Sequence, residues 1–396
     1  MAAHDLPLGD IRVLDLSEDV AGPFCTKLLA GLGAEVLKIE PPGCGDVSRR
    51  SGPFVHQVPH PEQSAAFLYL NTGKKSLTLD ISTPTGAALL QRLLADCDIL
   101  VESCPVGYLE QHGLGYADLE RLYPGLLYTS VTPFGQTGPY REYQGADIIA
   151  QALGGLMHPI GLPEREPLKV GGQAALYTTG MSAFAATMLA LHVRDATGQG
   201  QHVDVSVLET TAVSQIHASI QHQFGRKPVR RANTLLQAQD GWIHPGLERG
   251  IREDTWARLC ALMGRPELAH DPQFNSREAR REHQQEVQAL ISAWTATQPK
   301  EELYHALQGL SSVAGYVATV ADLQTSRQLL AREFFRVIEH PVAGPATYPG
   351  APFHMEGVDW QHGRAPLLGE HNVEIYCGRL GYSHDDLAYL RGLGII

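Results

Sequence analysis

The sequence is poor in the devices that usually disclose a function. Its six cysteines, Cys25, Cys44, Cys97, Cys104, Cys260 and Cys377, are scattered and form no C-x-x-C pair. That argues against a zinc ribbon or a disulfide frame and fits free thiols in a reducing compartment. No long run of lysine or arginine occurs, and the formal net charge is −12. A nucleic-acid partner is therefore not expected, because phosphate contacts need a clustered cationic face. No unbroken apolar run approaches the roughly 18 residues of a membrane span. The opening MAAHDLPLGD lacks the basic and apolar regions of a secretory signal. Cytoplasm is the expected location, with no membrane association.

Catalytic signatures are equally scarce. The segment Ser17–Pro23 reads SEDVAGP, with none of the G-x-G-x-x-G pattern a dinucleotide would need there. No H-E-x-x-H or G-x-S-x-G occurs, and His217 and His222, five apart, fall on different faces of a helix. No metal and no tightly bound cofactor are expected.

What is present is a long, ordinary globular chain: 396 residues, 43% hydrophobic and 19% charged. Short β-rich runs (11–16, 35–40, 76–80, 98–101, 126–131, 202–207) alternate with helical stretches (22–31, 83–96, 116–122, 146–156, 178–194). That alternation predicts a mostly parallel sheet covered on both faces. Near Phe224-Gly225-Arg226 the character changes; from about 250 to 330 the pattern is helical and more charged, with amphipathic helices over 256–263 and 283–294. After His340-Pro341 the chain turns Pro- and Gly-rich and ends in two short helices near 372–379 and 384–390. The expected division is a large α/β domain from 1–225 and 331–396, and a small, mainly helical or α+β domain over 226–330.

Several ordered segments then carry a likeness. They are Leu8-Gly-Asp-Ile-Arg-Val-Leu-Asp-Leu16 with Ala21-Gly-Pro23, Leu32-Gly-Ala-Glu-Val-Leu-Lys-Ile-Glu40 with Gly45-Asp46 and Arg49, and Asn71-Thr-Gly-Lys-Lys-Ser76. Further on come Phe134-Gly-Gln-Thr-Gly-Pro-Tyr140, Thr197-Gly-Gln-Gly-Gln-His-Val-Asp-Val-Ser206, Met263-Gly-Arg-Pro266 and Leu368-Gly-Glu-His371. In this order and spacing the chain resembles the family III coenzyme A (CoA) transferases over nearly its whole length. The resemblance implies a Rossmann-like large domain made from both chain ends, a smaller inserted domain, and a dimer of interlocked chains. It also implies CoA or an acyl-CoA as substrate or ligand. In such enzymes an aspartate attacks the thioester and carries the acyl group as a mixed anhydride.

The sequence departs from that pattern where it matters most. Pro167-Leu-Lys-Val-Gly-Gly-Gln-Ala-Ala-Leu-Tyr177 places Leu176 where the nucleophilic aspartate belongs, and no Asp or Glu lies between Glu166 and Asp195. No catalytic residue is therefore assigned. After the fourth strand the segment Glu102-Ser-Cys-Pro-Val-Gly107 has lost the family's Asn and Arg. Lys38, Arg49, Lys74, Lys75 and Arg141 are left as candidates to hold CoA. The expected role is the non-catalytic subunit of a heteromeric CoA-transferase whose homologous partner carries the aspartate, with an intertwined homodimer as the other assembly. The alternatives are different chemistry in the same cleft, with Asp147, Glu209, His158 or Tyr177 as acid–base groups, or a non-catalytic CoA-binding scaffold.

Overall fold

The computed structural model describes residues 6–162, 164–215, 220, 222–225, 235–246 and 253–396. His217 and the domain junction expected near 226 lie outside them. By contacts the chain forms two compact units: Met1–Ile160 with Pro167–Val229 and Arg332–Ile396, and Gly161–Glu166 with Arg230–Ala331.

The first unit is built on six parallel strands: β1 (Arg12–Leu16), β2 (Glu35–Glu40), β3 (Lys75–Thr78), β4 (Ile99–Glu102), β5 (Leu127–Thr132) and β6 (His202–Ser206), in the order β3-β2-β1-β4-β5-β6. The order in which strands are added reverses between β1 and β4, which opens a crevice at the carboxyl ends of those parallel strands. The helices between them are α1 (Ala21–Gly31), α2 (Ala65–Leu70), α3 (Pro84–Leu94), α4 (Tyr108–Gln111), α5 (Tyr116–Leu122), α6 (Asp147–Leu153), α7 (Ala174–Thr197) and, after β6, α8 (Val207–Ala212).

Side chains alternate across the strands, as a sheet buried on both faces demands. Leu14, Leu37, Ile39 and Leu100 join one core with α3, α5 and the C-terminal residues Ile375, Tyr376, Leu387 and Leu390. Val13, Val36, Ile99 and Val101 join the other, with α1 and α7. The chain's end is thereby tied to its beginning: Asn372 donates to Thr78 Oγ1 at 2.7 Å, Tyr376 OH to the Thr78 carbonyl at 2.8 Å, and the Asp80 amide to the Ile395 carbonyl at 2.8 Å.

One sequence expectation needs correction. α7 runs 24 residues and is long and apolar enough to cross a membrane by length and composition alone. Its polar residues conceal this, because Thr178, Thr179 and Ser182 return their hydroxyls to carbonyls four residues back. In the fold it packs on α1 and against β5 and β6. The backbones of α1 and α7 approach closely: a Cβ on Gly180 would stand 2.6 Å from the Ala21 carbonyl oxygen, so only glycine fits there. The Pro- and Gly-containing stretch from Phe335 forms a hairpin, Phe335–His340 antiparallel to Gly344–Pro349.

The second unit contains helices Glu253–Leu262, Gln284–Thr295 and Lys300–Gly309 around a core with Trp256, Leu259, Ile291 and Leu303. It also holds a three-stranded antiparallel sheet of Leu236–Ala238, Gly241–His244 and Gly315–Tyr316.

Candidate active site

The β1–α1 turn is shaped by a carboxylate at the end of β1. Asp15, fully buried, accepts from the Ser17 amide at 3.0 Å, from the Ser17 hydroxyl, from Thr26 Oγ1 at 2.6 Å and from Lys74 Nζ at 2.8 Å. Lys38, opposite Asp15 on β2, adds its charge at 3.9 Å and holds Asp46 at 2.7 Å. Although burial opposes ionisation, these cations keep the Asp15 carboxyl well below the usual carboxylate range. Gly22, whose Cβ would lie 2.2 Å from that of Ser17, lets α1 begin directly against the turn. The result is that Glu18 and Asp19 face the crevice, Asp19 with a left-handed φ of 67°.

A cavity of about 170 Å³ lies there, lined by this turn, Ser103 after β4, the end of β5 at Val131–Phe134, the start of α6, Leu176 and Val207. A second cavity, of about 340 Å³, adjoins it through Glu18 and Ser103 and reaches Ile39, Glu40, Asp80 and Tyr108. Among the described residues, no lysine, arginine or histidine lines either one.

Leu176 projects into this site from the first turn of α7. The α7 N-terminus is held from outside its own sequence: Asp147 Oδ1 accepts from the Ala175 amide at 3.0 Å and the Leu176 amide at 3.4 Å. Its Oδ2 receives Gln151 Nε2 at 2.7 Å and Lys169 Nζ at 3.1 Å. Asp147 is thus a buried helix-capping carboxylate with its oxygens engaged, not a free acid or base. Tyr177 packs edge-on against Phe24, centroids 5.0 Å apart. His158 and Glu209 are exposed and line neither cavity.

Of the five cations expected to hold CoA, Lys38 and Lys74 meet on Asp15, and the five do not converge on one ligand-facing cluster. Lys38 is completely buried in its pairs with Asp46 and Asp15 and donates to the Ser17 carbonyl at 2.8 Å. Lys74 is buried on Asp15, Asn71 and the Pro23 carbonyl. Arg49, also inaccessible, grips Glu40 through Nε at 2.6 Å and Nη2 at 2.9 Å, meets Glu62 at 2.7 Å, and stacks on Phe67. Lys75 opens β3, at the sheet edge opposite the crevice, and pairs with Glu35 at 2.7 Å and Glu374 at 2.6 Å. Arg141, on the loop leaving β5, keeps an exposed guanidinium beside Glu142. In this structure Lys38, Arg49 and Lys74 have carboxylates of the fold as partners. A one-dimensional sequence gives the charge of a strand residue but not the acid that faces it from the next strand.

Sequence reasoning missed Glu18, Asp19, Ser103 and Thr132. One signal could have found them: each directly follows or ends a parallel strand on the carboxyl side of the sheet, where such folds place their ligands.

Comparison with known proteins covers the same ground. A family model described as CoA-transferase family III matches residues 8–372. The succinyl-CoA–D-citramalate CoA-transferase of Chloroflexus aurantiacus is 36% identical over 98% of each chain. The succinyl-CoA:(R)-benzylsuccinate CoA-transferase subunit BbsE of Thauera aromatica is 33% identical over 95% of each. The crystal structure of a CAIB/BAIF family protein from Brucella suis superposes with a TM-score of 0.83 at 32% identity, covering 94% of this chain and 99% of that one.

Proposed function

The chain belongs to CoA-transferase family III, whose members move CoA between an acyl-CoA and a carboxylate, and from that premise we propose that it is the non-catalytic subunit of a heteromeric CoA-transferase, paired with a homologous chain that supplies the aspartate. The observation that carries this reading is Leu176 at the wall of the crevice cavity. A hydrocarbon side chain has no lone pair to attack a thioester and cannot carry an acyl group between donor and acceptor.

Three further observations support it. Among the described residues the crevice walls present carboxylates and no lysine, arginine or histidine, although Lys38 and Arg50 act on Glu18 from beyond the wall; that is a weak setting for the phosphates of CoA. A relative of comparable identity is named as one subunit of a CoA-transferase. The face formed by α6, α7 and α8 also exposes Ile148, Leu153, Met181, Leu189 and Val213. An apolar surface of that extent fits burial against a second chain of the same fold, as the interlocked assembly requires.

Co-expression with an aspartate-bearing homologue from the same genome tests the reading. A mixed complex whose transferase activity disappears when the homologue's aspartate is changed to alanine is expected. A complex that stays active after that change would overturn it.

A further inference from the structure

A row of polar side chains crosses the sheet on the face that carries Leu100 and Tyr128. The parallel register sets Glu102 beside Ser130 and Ser130 beside Asp204; His202, two residues before Asp204, shares that face. His202 Nε2 lies 2.9 Å from Ser130 Oγ, and the same hydroxyl hydrogen-bonds the Glu102 carboxyl. Glu102 and Ser130 are buried, whereas the imidazole reaches solvent at the sheet edge. Tyr116 stacks on the ring with centroids 5.0 Å apart, and Tyr128 meets it edge-on at 5.2 Å. Asp204 is turned to the Gln136 amide instead, at 3.0 and 3.2 Å.

At its inner end the row meets the crevice. Glu102 accepts from the Cys104 amide at 2.7 Å. The intervening Ser103 lines both cavities and accepts from the Glu18 amide at 2.9 Å. The buried carboxyl thus anchors a segment of the crevice wall.

A serine hydroxyl has one proton to give, so Ser130 donates to Glu102 or to His202 and not to both. With Glu102 ionised, the hydroxyl points at the carboxylate and accepts from the ring, whose neutral form then carries its proton on Nε2. With Glu102 protonated, the carboxyl donates to Ser130 Oγ, the hydroxyl donates to Nε2, and the ring carries its proton on Nδ1. The carboxylate has gained one proton from solvent; the ring has exchanged Nε2–H for Nδ1–H with no change of charge.

We propose that Glu102, Ser130 and His202 form a proton-responsive relay, in which the direction of the Ser130 hydroxyl ties the tautomer of the imidazole at the sheet edge to the charge of the carboxyl that anchors the crevice wall.

The surroundings separate the two titrations. Burial above all pushes Glu102 up to about 7; Glu110 and Asp204 add to this, and the Ser130 and Cys104 bonds oppose it. Burial pulls His202 below its ordinary range, against Asp204 and Glu110. The other titratable neighbours, Tyr116 (bonded to Glu120 at 3.1 Å), Tyr128 and Cys104, are all shifted upward and stay neutral. On acidification Glu102 therefore takes up its proton first, and the ring charges at lower pH.

Nitrogen NMR of the full-length chain carrying isotope-labelled histidine reads the tautomer from the two ring nitrogens, with His202→Gln identifying the signal. The neutral ring is expected to change from mostly Nε2–H at about pH 8 to mostly Nδ1–H at about pH 6.5, before it charges. Glu102→Gln, whose amide donates to Ser130 as the protonated carboxyl does, should hold the Nδ1–H form at about pH 8 as well. Ser130→Ala should remove the pH dependence of the tautomer, with circular dichroism confirming the fold of both variants. One unchanging tautomer across this range in the unaltered chain, or an inversion that persists in either variant, would overturn the proposal.

Discussion

Two residues, Leu16 and Ser17, separate two opposite treatments of negative charge. Asp15, at the end of β1, is enclosed and answered by Lys38, Lys74, Ser17 and Thr26. Glu18 and Asp19, in the turn that follows, line a cavity and form no ion pair among the described residues. The first arrangement fixes a turn; the second leaves two half-buried carboxylates, of which Glu18 is only partly offset by Lys38 and Arg50. The contrast shows where three of the basic residues of the N-terminal half have gone: Lys38, Arg49 and Lys74 neutralise buried carboxylates of the fold.

Breaking the first arrangement should have the largest effect. Asp15→Asn strands two buried lysines with one carboxylate fewer, and a loss of about 3–5 kcal/mol in a denaturant titration is expected. A loss under about 1 kcal/mol would mean that water reaches the network.

Glu102 is an intermediate case: buried at the end of β4, it accepts from the Cys104 amide at 2.7 Å but has no cation. Burial above all pushes its carboxyl up to about 7. Between about pH 4.5 and 7 the folded chain therefore holds a proton that the unfolded chain has released. Its contribution is full below that window and is lost as pH rises through it. Glu102→Gln should flatten this part of the stability–pH curve, by at most about 3 kcal/mol at pH 8. Parallel curves for the two chains would contradict the assignment.

Neutralising the crevice should do the reverse of neutralising the network. Asp19→Asn keeps the left-handed turn, which asparagine tolerates, and removes an unpaired charge. A change within about 1 kcal/mol is expected, toward greater stability. Marked destabilisation would reveal a structural partner for Asp19.

Arg141→Ala, at an exposed pair with Glu142, should fall within about 0.5 kcal/mol. A larger loss in the thermal midpoint would give that loop a structural role.

The same contrast explains what could be read in the sequence. The strands and helices of the first unit were legible because β-rich runs and helical periodicity alternate cleanly there. Leu176 was legible because ordered segments on both sides fix its register. The destinations of Lys38, Arg49 and Lys74 were not, since their carboxylate partners are set by cross-strand pairing and by loops as far away as Glu62. The Phe335–Pro349 hairpin was hidden by Pro341 and Pro349, which read as loop although the first lies in the turn and the second ends a strand. The acidic pair Glu18-Asp19 looked like an ordinary polar turn until the sheet order placed it at the crevice.

The most direct test of the missing nucleophile is a CoA-exchange assay on the chain alone, given succinyl-CoA and a panel of carboxylic acids, with new thioesters detected by mass spectrometry. No new thioester from the lone chain is predicted, and product should appear once an aspartate-bearing homologue is added. New thioesters from the lone, unaltered chain would contradict the central claim and place the acyl-carrying group at a residue of this chain other than position 176.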